Sequence, residues 1–75
     1  MSVYAEVQKL EEDRERVRYK YTDVEGGENT LLLNKVNETI SLETGSEDIL
    51  YRTVAGKIAS LWLRDGVAPD HLFIQ

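Results

Sequence analysis

The chain contains no cysteine. A disulfide framework, a zinc ribbon and a thiol nucleophile are excluded together. Small secreted domains lean on such staples, so their absence favours a reducing compartment, and a cytoplasmic location is expected. No apolar run approaches the roughly 18 residues that a membrane span needs. The N-terminus lacks a basic start followed by an apolar stretch, so no signal peptide is expected. Asn37-Glu38-Thr39 matches a glycosylation acceptor, which carries no weight without a secretory route. Positive charge is also short: nine Lys and Arg stand against fourteen Asp and Glu, for a net charge of −5. That balance works against DNA or RNA, where cations on the protein supply most of the affinity.

What is present describes one small domain. The chain has 75 residues, 41% of them hydrophobic, close to the globular average. A domain this short buries only about 60% of the surface its unfolded chain exposes. Its core is thin, and association with a second copy would be a natural supplement.

The clearest strand pattern covers residues 15–23. Val17, Tyr19 and Tyr21 alternate with Arg16, Arg18, Lys20 and Thr22, giving one apolar and one polar face. Gly26-Gly27 then marks a turn. Thr30 to Lys35 reads as a second strand with Leu31 and Leu33 on one face. Glu38 to Glu43 reads as a third, with Ile40 and Leu42 inward. The short connections imply an antiparallel meander. Residues 46–65 predict a long helix, capped by Thr44 or Ser46, with Leu50, Val54, Ile58, Leu61 and Trp62 in one stripe. Arg64, Gly66 and Pro69 supply its stop. Residues 2–13 are ambiguous. Val3, Val7 and Leu10 recur at helical spacing with Ser2 placed to cap, so a short helix is expected, with a strand as the alternative. The expected fold is therefore α+β. A three-stranded antiparallel β-meander, four-stranded if the N-terminal segment joins it, packs against a long C-terminal helix.

Three surfaces invite a functional reading. Arg14, Arg16, Arg18 and Lys20 could project four cations from one strand face toward phosphate or an acidic partner; the plainer expectation is a solvated face cross-paired with glutamates. Ala55, Gly56, Ala59 and Ser60 form a smooth patch on the helix. It suits close packing on the sheet, or the approach of a helix from another subunit. Leu72, Phe73 and Ile74 make an apolar terminus that should dock on the core or on a partner. His71 has no companions at ligand spacing, so neither a metal nor a catalytic role is expected of it. Gly26-Gly27 lacks the helix and lysine of a phosphate cradle. Helix, three strands, helix is also the element order of double-stranded-RNA-binding domains, but Ser46-Glu47-Asp48 would repel phosphates where those domains place lysines.

The pattern Val17-Arg18-Tyr19-Lys20-Tyr21, then Leu31-Leu32-Leu33, then Ala55-Gly56-Lys57-Ile58 through Trp62 to Gly66 and Pro69, resembles short actinobacterial proteins to which no activity is assigned. The resemblance spans nearly the whole chain and implies a bacterial cytoplasmic protein, with no functional residue to carry over. The expected function is a non-enzymatic protein-interaction module without a cofactor, self-associating as a homodimer. The alternatives are a nucleic-acid-associated regulator using the basic strand face, and a small-molecule or enzymatic role in a cleft between helix and sheet.

Overall fold

A computed structural model describes residues 5–23 and 25–74. The elements run β1 (Ala5–Glu12), β2 (Arg16–Thr22), β3 (Glu28–Asn34), β4 (Thr39–Leu42), α1 (Ile49–Asp65) and β5 (His71–Ile74). The five strands form one antiparallel sheet in the order β4-β3-β2-β1-β5. The α+β meander expected from the sequence is present, extended by a strand at each end of the chain. Expected helix at residues 2–13 is replaced over its described part by β1. The proposed Ser2 cap lies outside the described residues.

The reason for that difference is a single residue. Ala5 and Val7 point to the core and are fully buried, while Glu6 and Gln8 face the other way. The register of β1 on β2 shifts between Lys9 and Glu11, so Leu10 is an extra residue in a β-bulge. Leu10 remains 49% exposed. Its apolar side chain three positions after Val7 mimics helical spacing, but it belongs to neither face of the ladder. Pairing with β2 makes residues 5–12 part of a sheet, and tertiary context overrides the local pattern.

One sheet face carries the core: Ala5, Val7, Val17, Tyr19, Tyr21, Leu31, Leu33 and Ile74 are buried there. Helix α1 covers this face with Tyr51, Val54 and Ile58 buried, and with Leu50, Ala55 and Trp62 partly so. Asp48 caps the helix rather than Thr44 or Ser46: its carboxylate accepts from the Tyr51 N–H at 2.9 Å. Gly66 ends it at φ 70°, donating to the Trp62 carbonyl at 2.8 Å. The apolar terminus docks as strand β5 beside β1, with Ala5 opposite Ile74 and Val7 opposite Leu72. The opposite face of the sheet is not covered by any described element.

Candidate functional site

The basic strand row lies on that uncovered face, and two of its cations, Arg18 and Lys20, are matched by carboxylates. Arg18 donates from Nε to Glu43 Oε1 at 2.9 Å and from Nη2 to Glu43 Oε2 at 3.2 Å, and its Nη1 also meets Glu11. Lys20 reaches Glu28 at 3.1 Å. Arg16 shares the face, whereas Arg14 sits in the β1–β2 turn, outside the strand row. A shallow groove of about 190 Å³ here is lined by Glu11, Glu12, Asp13, Arg16, Arg18 and Leu32, three acids with two bases. Acids outnumber bases in this groove, which works against anion binding.

A second polar group sits at one end of the helix-covered face. The bulge at Leu10 turns Glu12 to the same side as Lys9. Lys9 Nζ meets both Glu12 and Asp70, the latter at 2.9 Å, and Lys35 meets Glu12 and donates to the Asp13 carbonyl at 2.8 Å. The Glu12 carboxyl is held below its usual range chiefly by Lys35 and then by Lys9. Lys9 is correspondingly raised, first by Glu12 and then by Asp70. The Tyr19 hydroxyl donates to the Pro69 carbonyl at 2.8 Å, and burial pushes its pKa well up. These contacts tie the segment before β5 to β1 and β2. They consume one another's charges and hold the fold.

The third region is the free edge of β5. A groove of about 390 Å³ runs there, lined by Thr53, Gly56, Lys57 and Ser60 from the helix and by Phe73 and Ile74 from the strand. The expected smooth patch is thus divided. Ala55 and Ala59 are half-buried, whereas Gly56 and Ser60 are exposed. A Cβ built on Gly56 would meet nothing within 4 Å, so close packing on the sheet is not what this glycine serves. The apolar terminus divides likewise: Ile74 is buried, Leu72 half-buried and Phe73 53% exposed. Phe73 packs edge-on against His71, with ring centroids 4.7 Å apart, and His71 Nε2 lies 3.3 Å from Glu6.

Sequence reasoning singled out Gly56 and Ser60 but missed the apolar residues in line with them on the outer stripe of α1. Ile49, Gly56, Ser60 and Leu63 recur at i, i+7, i+11 and i+14, away from the core. Ile49 is 71% and Leu63 68% exposed, and Val67 just beyond the helix is 65% exposed. The signal was visible as apolar residues left over once the core stripe was assigned. No group of three or more potential metal ligands occurs among the described residues, and no described helix is long and apolar enough to cross a membrane. No family model, curated protein or solved structure matches the chain.

Proposed function

We propose that this protein is a non-enzymatic interaction module that associates with a second copy of itself in a cytoplasmic setting. The observation that carries the reading is exposed apolar surface with no described partner, on the outer side of α1, just beyond its end and on β5. Ile49, Leu63, Val67 and Phe73 are each more than half exposed, while Arg18 and Lys20 of the open sheet face hold carboxylates. Exposed apolar area gathered around polar rims is what recognition surfaces offer. A thin core gives such an interface a second role in stability.

The nucleic-acid alternative draws less support. Arg18 and Lys20 already hold carboxylates, and freeing them would cost those pairs for each phosphate gained. The test of the leading reading is sedimentation equilibrium across the micromolar range. A concentration-dependent dimer is expected. A strict monomer at high micromolar concentration would overturn self-association.

A further inference from the structure

The two edges of the sheet differ in what they leave free. At β5, the Lys9 N–H donates to the Asp70 carbonyl at 2.8 Å. With the antiparallel register Val7↔Leu72 and Ala5↔Ile74, residues 70, 72 and 74 aim their backbone groups at β1. His71 and Phe73 therefore aim theirs outward, and no described group meets them. At β4, the Glu43 N–H donates to the Thr30 carbonyl at 2.9 Å, so Ile40 and Leu42 face outward. There the Ile40 carbonyl already accepts the Tyr51 hydroxyl at 3.4 Å. One edge is partly stoppered by a helix side chain, and the other is open.

Resting on the self-association reading, we propose that β5 pairs antiparallel with β5 of a second copy about a two-fold axis, making one ten-stranded sheet. Within β5 only residues 71 and 73 have backbone groups to offer, so residues of like parity must stand opposite. Directly opposed residues share a sheet face, and both helices then lie on the same side. The register that stays within the strand sets His71 opposite Phe73 of the second copy, with Leu72 opposite its own mate on the axis.

Charge and space favour a copy of this chain over an unrelated peptide. In this register Asp70 falls opposite Ile74 of the second copy, on the helix side. Lys57 lines the groove beside Ile74 there. The Asp70 side chain is 91% exposed despite its contact with Lys9, so its carboxylate is open to a second cation. The symmetry supplies this Asp70–Lys57 approach twice. The groove beside the edge leaves room for the incoming strand, and the absent side chain at Gly56 keeps its helix wall low.

The test uses the absence of cysteine. Leu72→Cys places the only thiol of each chain on the axis, at a non-hydrogen-bonded pair whose Cα atoms stand about 4.5 Å apart, within disulfide range. Mild oxidation should convert most of that variant to a covalent dimer, while Thr39→Cys on the other edge should not cross-link. Phe73→Pro removes an outward N–H and leaves the bonds to β1 intact. It should keep the circular dichroism spectrum and weaken the dimer by about tenfold or more, the worth of one or two edge hydrogen bonds. Gly56→Gln should weaken the dimer too, by filling the groove, without loss of helix. A dimer that fails to cross-link through Leu72→Cys and is indifferent to Phe73→Pro would overturn the edge pairing yet keep self-association. A monomeric wild-type chain would overturn both.

Discussion

At the scale of single residues, Tyr19 shows how a core side chain becomes a fastener. Its ring lies fully buried among Val17, Leu31 and Val7 in the core cluster, and its hydroxyl reaches Pro69, fifty positions away in sequence. That bond fixes the chain just as it leaves the helix and turns into β5. Tyr19→Phe keeps the ring and removes the donor, leaving the Pro69 carbonyl without its protein partner. A loss of about 1 kcal/mol is expected, in line with a typical net hydrogen bond. The denaturant midpoint, measured at fixed slope, checks it. An unchanged midpoint would mean that water replaces the hydroxyl at no cost. Trp62 is the opposite case: its indole N–H is buried without a partner among the described residues.

Among the elements, α1 depends on its ends, because its stripe supplies only three buried side chains. Asp48→Ala removes the cap that holds the Tyr51 N–H and should destabilise the protein by about 1 kcal/mol, visible as a lowered thermal midpoint. β5 is a structural strand as well as a candidate interface. Removing residues 71–75 would uncover Val7 and Ala5 and strip Ile74 from the core. The truncated chain should lose cooperative unfolding; a folded truncation of near wild-type stability would show that the terminus serves only a partner. The elements were legible in the sequence to different degrees. Strand β2 was plain, because Val17, Tyr19 and Tyr21 alternate without interruption. The helix core stripe was plain because Val54 and Ile58 repeat with its turn. β1 was hidden by the bulge at Leu10. β5 was legible as an apolar end that must dock, but not as a strand, because four residues carry too little period to separate strand from coil. The candidate site was half legible. Gly56 and Phe73 could be singled out, yet which backbone groups face outward depends on register, and register is a property of the paired sheet.

At the scale of the whole molecule, pH reports on the core as a unit. Tyr19, Tyr21 and Tyr51 lie on the two layers of that core, and burial raises all three hydroxyls above their ordinary value of 10.0. Each native state therefore holds a proton that the unfolded chain releases first. Their stabilisation is complete below pH 10 and declines as pH rises from there toward the folded values. Lys9, raised by Glu12 and Asp70 from 10.5, works in the same direction, since its ion pairs are lost when it deprotonates. Buried Tyr19 alone steepens the decline by up to about 1.4 kcal/mol per pH unit. On the acid side the sign reverses. Glu12 is held below its ordinary value of 4.5 by Lys35 and Lys9, so its contribution is present above that value and fades as pH falls through the lowered one. Denaturant midpoints taken at low protein concentration should stay level through neutral pH, drop gently below about pH 4.5, where Glu12 and the exposed, likewise lowered Asp13 and Asp65 titrate, and drop steeply above pH 10. In a Tyr4→Phe background, which leaves Tyr19, Tyr21 and Tyr51 as the only phenols, the alkaline limb should coincide with the rise in tyrosinate absorbance near 295 nm. If tyrosinate appeared well before unfolding, the phenols would be open to solvent in the native state, and the account of how helix and sheet close over Tyr19 would fail.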